Sequence, residues 1–280
     1  MKFSNEAEFL AFLNAEIEAN RVVLPTLPEV ALKVRDAVNK GEASAVQLAE
    51  IIGSDAALSA RLIQVANSPL YRGRVEIEKL QMAIPRLGNN TVRTLVTSLV
   101  MQQIFNPQSP LLEKYFRKTW EDGINVAAMS RAFASRCSHL DADQAMLGGL
   151  IHQIGKLPVL TVAENHSSLL EDKAAFENLL NSTHTKIGGT ILKSWEFPES
   201  LINVVLNYND FSRDAGNDAD YVDVVQVAYL ENMAATAPEV DQADWSTIPA
   251  FGKLGLAAEI EVLEIEGVAE EVEEAHRLLS

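Results

Sequence analysis

The stretch from Leu147 to Leu157, LGGLIHQIGKL, sets an imidazole and a carboxamide side by side, His152 and Gln153. An amine, Lys156, follows three residues later. These polar groups lie among Leu147, Leu150, Ile151, Ile154 and Leu157. A buried polar group costs free energy unless it finds a partner, so the string calls for an explanation. A neutral imidazole is a common metal ligand. A bound divalent ion would generate hydroxide near neutral pH, the chemistry of helical metal-dependent hydrolases. Such a centre needs several imidazoles and carboxylates from different helices. His152 and His184 occupy helical settings, His139 and His166 fall near helix ends, and His276 lies in an acidic terminal helix. Two imidazoles without neighbouring carboxylates suit a hard cation poorly and leave a zinc site incomplete. Spacing alone therefore favours core histidines satisfied by hydrogen bonds.

Other chemistries find less support. Gly148-Gly149 and Gly188-Gly189 form neither a phosphate loop nor a GxGxxG pattern. There is no Gly-x-Ser-x-Gly elbow. Cys137, alone on an apolar helix, reads as core. Lys156 after Gly155 could meet an anion, although a lysine at a helix end more often complements the dipole.

The elements that must hold these residues are helices. Apolar residues recur at a period near 3.6, and no stretch alternates strictly, so strands are not expected. Asn5 with Glu8, and Ser44 with Gln47, read as capping boxes. Pro28 opens a helix, Asp55 caps another, and Asp141 caps the helix that carries the opening stretch. A face from Ile77 to Leu87 contains Pro85, which should kink or shorten it. Asn89 or Asn90 is expected to cap a long helix to Ile104, Thr183 a helix to Trp195, and Asn217 or Asp218 a helix through Leu230. A bend is expected at Gly155. Gly123 is a weak point in the helix from Leu111 to Cys137, and a glutamate-rich helix runs from Glu259 to Leu279. Asn106 to Pro110 is the best internal boundary. The expected fold is all-α, with two helical lobes spanning residues 1–110 and 111–280.

Charge is uneven. Lys/Arg and Asp/Glu balance at 11 each up to residue 110, whereas 12 Lys/Arg face 28 Asp/Glu beyond it, giving the net −16. The acidic second half argues against nucleic acid and against anionic membrane surfaces. No signal peptide is expected, and no apolar run approaches the ~20 residues that span a bilayer. The single Cys137 fits a reducing, cytoplasmic setting. Arg61, Arg72, Arg74, Arg86 and Arg93, with Lys79, make the middle of the first half locally basic. A solvated face is the default reading, and a docking face for an acidic partner is the sharper one.

Three segments of the first half, LPTLPEVALKV, AEIIGSDAALSARLIQVANSPLY and LQMAIPRLGNNTVRTLV, resemble the HD-related output domain (HDOD) of bacterial signalling. In the second half, LGGLIHQIGKL and HTKIGGTILKSWEFPESLINVV resemble its HD-type portion, distantly shared with metal-dependent phosphohydrolases. The resemblance spans roughly Val22 to Met233 and implies an HD-like bundle for the second lobe. It also assigns positions. Active HD enzymes pair His with Asp, and here Gln153 follows His152. Asn207 and Tyr208 stand where such enzymes often carry His, Tyr229 where a late Asp ligand sits, and Asp122 near an earlier His. Only His152 and His184 keep a ligand type, so the resemblance implies no metal, no cofactor and no catalysis. It implies a stand-alone regulatory module that contacts other signalling proteins. The site would be a vestigial pocket or would take a small nucleotide. The alternative is a metal-dependent phosphohydrolase acting on a nucleotide or cyclic dinucleotide.

Overall fold

The computed structural model describes the 280-residue chain apart from residues 1, 2, 4, 42, 72, 106–109, 111, 237–244, 257–267 and 280. Among the described residues there are helices and no strands. The first lobe comprises α1 (Glu6–Glu18), α2 (Glu29–Asn39), α3 (Ala45–Gly53), α4 (Ala56–Asn67), α5 (Leu80–Leu87) and α6 (Asn89–Val100). The second comprises α7 (Glu113–Ala134), α8 (Ala142–Ile151), α9 (Lys156–Asn165), α10 (Lys173–Ser194), α11 (Glu199–Asn207), α12 (Tyr221–Thr236), α13 (Pro249–Lys253) and α14 (Val268–Leu279).

Local side-chain chemistry sets several of the helix starts. Asn5 accepts the Glu8 amide at 2.9 Å. Ser44 and Gln47 exchange side-chain and backbone bonds in a full capping box. Asp55 accepts the Leu58 amide, and Asp141 those of Asp143 and Gln144. Each cap satisfies amides that the first helical turn would leave unpaired.

Four boundaries differ from the sequence reading. Thr183 is no cap. It lies inside α10, its hydroxyl donates to the Leu179 carbonyl, and Asp172 caps the helix eleven residues earlier. Asn217 and Asp218 give way to Asp220, which accepts the Val222 and Asp223 amides while Asp223 accepts the Asp220 amide. Gly88, at φ +85°, stands at the start of α6 in place of Asn89 or Asn90, and that helix gives way at Met101 to a 3-10 turn reaching Ile104. Ile77 precedes α5, and its amide and carbonyl are both held by the Asn67 side chain. Pro85 sits in the last turn of α5, consistent with a shortened helix.

One hydrophobic cluster runs from Phe9 of α1 through α2, α6, α8 and α10 to Leu279 of α14. The expected lobes thus share a core, although the boundary at residues 106–109 lies outside the described residues. The N-terminal helix packs on the second lobe: α1 contacts α10, and Glu6 pairs with Lys186 at 2.7 Å. A second cluster joins the C-terminal half of α7 to α12, α13 and α14. The described part of the glutamate-rich helix lies on α7, with Val268, Ala275, Leu278 and Leu279 buried. Contrary to the run-length reading, Ala142–Asn165 taken as one stretch is long and apolar enough to cross a membrane. Some 89% of its most apolar window is buried inside the protein, which accounts for that apolarity as core.

Candidate functional site

Helix α8 ends at Ile151, His152 occupies its C-terminal cap, and α9 starts at Lys156. This tight turn needs glycine on two sides. A Cβ on Gly149 would stand 2.7 Å from the Ala127 Cα of α7. One on Gly155 would stand 1.9 Å from the His184 carbonyl of α10. The turn is therefore wedged between α7 and α10, which brings His152 near enough to His184 for the two rings to interact electrostatically.

Both imidazoles are enclosed, at 0% and 1% exposure. His152 Nδ1 lies 2.6 Å from the Gly149 carbonyl, and His184 Nδ1 lies 2.9 Å from the Leu180 carbonyl. A carbonyl only accepts, so each ring carries its proton on Nδ1. The bare Nε2 of His184 accepts from the Tyr208 hydroxyl at 2.7 Å. Gln153 reaches that same hydroxyl, while its own Oε1 is buried without a partner. His152 Nε2 is likewise buried and unpartnered. The His152 ring meets Tyr208 edge-on at 4.7 Å and Tyr229 at 5.6 Å. Tyr208 and Tyr229 meet at 5.0 Å, and Phe211 stacks on the outer side of Tyr229.

Burial governs the charge state. Desolvation drives His152 down to about 3 and His184 down to about 4, so both are neutral at physiological pH. Partly buried Lys156 falls to about 8, again mainly through desolvation, with Asp122 pulling it upward. Burial pushes the Tyr208 and Tyr229 hydroxyls up. Asp122 of α7 is bound at 3.1 Å by Lys118 and at 3.3 Å by the Asn232 amide. Its charge still bears on Lys156, Tyr208 and Tyr229.

Seven of the eight sequence candidates thus converge: Asp122, His152, Gln153, Lys156, His184, Tyr208 and Tyr229. Asn207 does not join them. Its amide folds back to the Asn203 carbonyl, and its backbone carbonyl accepts from Gln226. Sequence reasoning missed Asn232, Asn125 and Gln226. Asn125 donates to Asn232, and Gln226 is fully buried. Gln226, Tyr229 and Asn232 recur every third residue on α12, along a face of mostly apolar neighbours, and that spacing was the available signal.

The arginines behave differently from a docking face. Arg61 donates to the Leu278 carbonyl of α14 at 3.2 Å, and Arg93 to Asn39 at 3.1 Å. Arg86 donates to the carbonyls of Ala66 and Val75. All three are partly buried, and Arg86 alone spans two backbone carbonyls, which a guanidinium's several donors allow. Arg74 is exposed, and Arg72 lies outside the described residues.

Among the described residues no three His, Cys, Asp or Glu side chains gather in a way that could hold an ion. Both His184 nitrogens are engaged, Asp122 is held by Lys118 and Asn232, and an amide and two phenols fill the remaining wall. These residues do not fit a metal centre.

Fold and site together define an HD-like helical domain with an aromatic-walled site around two neutral imidazoles. Residues 24–211 match the HDOD domain model, about two thirds of the chain. The chain therefore belongs to the HDOD domain family. A crystal structure from Shewanella amazonensis SB2B, whose name proposes a metal-dependent phosphohydrolase, is 30% identical at a TM-score of 0.84. That match covers 99% of this chain and 100% of the other. An HDOD domain protein of unknown function from Geobacter sulfurreducens is 20% identical at a TM-score of 0.69, over 97% and 99% of the two chains. An uncharacterized protein of Treponema pallidum (strain Nichols) is 20% identical over 65% of this chain, and the match spans 37% of its length.

Proposed function

We propose that this chain is a non-catalytic regulatory module of signal transduction, working in the cytoplasm by contact with other signalling proteins and needing no cofactor. The observation that carries this reading is the state of the two histidines. Their Nδ1 atoms are committed to backbone carbonyls, one Nε2 is closed by Tyr208, and the other faces two tyrosine rings. Where an active relative needs carboxylates, this chain offers Gln153 and Tyr229. Neutral groups of this kind can brace a core or hold an uncharged or anionic ligand, but they do not assemble a hydroxide-generating ion.

Elemental analysis of the purified chain tests the reading. The expected result is less than one equivalent of iron, manganese or zinc, no hydrolysis of bis(p-nitrophenyl) phosphate, and no change with His152→Ala/His184→Ala. Stoichiometric metal that disappears in the double variant, together with turnover, would replace it by the phosphohydrolase reading. The name of the Shewanella relative favours that alternative. A small nucleotide at the pocket would appear as a rise in melting temperature across a nucleotide panel, since ligand at ~100 times Kd adds about 2.7 kcal/mol.

A further inference from the structure

A groove of about 600 Å³ opens where the two lobes meet, on the opposite side of Leu157 in sequence from Lys156. One wall is the extended segment around Val23 and Pro25, which runs into Glu29 at the start of α2. The other is α9, through Leu157 and Glu164, with Phe116 of α7 as part of the floor. The volume lies within the range of roughly 300–1,000 Å³ that ligand-binding clefts occupy.

Three features specify its occupant. Both charged residues in the lining are carboxylates; Glu29 is paired with Lys33 at 2.7 Å, which leaves Glu164 as the one a ligand's cation would meet. Glu164 Oε1 is withheld from water and has no hydrogen-bond partner, which leaves a carboxylate oxygen in need of a donor. At the rim, Val23 is 71% exposed, while the Trp195 indole fixes the Pro25 carbonyl at 3.1 Å and so stiffens that wall. A preformed cleft whose lining mixes apolar side chains with Thr26, Gln103 and Thr161, and which carries a carboxylate with an unpaired oxygen, is complementary to a cation on a strand of mixed polarity.

We propose that this groove is the chain's docking site for an extended peptide segment of a partner protein. The segment presents one arginine or lysine to Glu164 between prolines or small apolar residues that cover Val23, Phe116 and Leu157. The assignment rests on the protein-contact reading above and names the surface and the chemistry of the partner. A guanidinium can supply the paired donors that a carboxylate takes best.

The test uses the full chain and an array of synthetic ten-residue peptides. Each has arginine, lysine or glutamine at the centre of a proline-containing apolar sequence, and binding is read by fluorescence anisotropy. The expected result is binding of cationic peptides, weakened about tenfold or more by the central glutamine and by Glu164→Gln, equivalent to about 1.4 kcal/mol. Thr161→Trp, which fills the cleft from α9, should abolish it, with the urea midpoint of Glu164→Gln unchanged. No binding by any cationic peptide at about 1 mM, where the free energy is only about −4 kcal/mol, overturns the proposal. So does binding indifferent to Glu164→Gln, or a dimer of the chain that Thr161→Trp splits. These failures remove the groove alone, whereas stoichiometric metal in the purified chain removes the reading beneath it.

Discussion

His152 and His184 exclude protons when folded and accept them readily when unfolded. Their native values, about 3 and about 4, lie below the ordinary 6.5. Between those limits the unfolded chain binds more protons, so unfolding free energy rises with pH. Stability is complete above pH 6.5 and is lost as pH falls toward the native values. At about 1.4 kcal/mol for each unit, each ring contributes on the order of 3–5 kcal/mol over its window. Urea titrations from pH 7 to pH 4 should show the midpoint falling steeply below pH 6.5. Replacing both histidines by glutamine should flatten the slope, and a wild-type midpoint that stayed level to pH 4 would contradict neutral burial. The identities of these residues were legible in LGGLIHQIGKL. Their committed nitrogens were not, because the Tyr208 hydroxyl arrives from another helix.

Among the elements, the α8–α9 turn depends most on space. Gly155 has ordinary helical φ, so clearance from the His184 carbonyl sets its identity there. Gly155→Ala places a methyl 1.9 Å from backbone that cannot yield without moving α10. The expected loss is about 3 kcal/mol or more, at or beyond the usual range for overpacking. Gly53, in the last turn of α3, has nothing within 4 Å of its added Cβ. Gly53→Ala should be neutral or stabilising by up to ~1 kcal/mol through helix propensity. Paired urea denaturation curves compare the two, and equal midpoints would show that the turn has room. The bend at Gly155 was visible in the sequence. The caps at Asp172 and Asp220 were not, because Thr183, Asn217 and Asp218 offered equally good side chains and tertiary packing chose among them.

At the scale of the molecule, Tyr71 of the first lobe donates its hydroxyl to Asp143 at the start of α8. Arg131 of α7 also binds that carboxylate, and its guanidinium covers the Tyr71 ring at 5.2 Å. Burial pushes the Asp143 carboxyl up, so it depends on both donors. Tyr71→Phe leaves the carboxylate short of one partner and should cost about 1–3 kcal/mol. The lobes share one core, so calorimetry should record a single cooperative transition at a lower temperature. Two separated transitions in the wild type would show lobes that fold independently.

The sequence by itself determined the helical class, most capped helix starts, and which residue types stand at the motif positions around His152 and His184. Those properties depend on short-range periodicity, on side chains three or four residues from the amides they cap, and on residue type at motif positions. Only the tertiary structure decided that the lobes share a core, that Arg61 and Arg86 bind backbone carbonyls and Arg93 the Asn39 side chain, and that Asn207 turns away from its neighbours. Each of those depends on contacts between groups far apart in the chain or on the direction a side chain takes, and neither leaves a periodic trace in the order of residues.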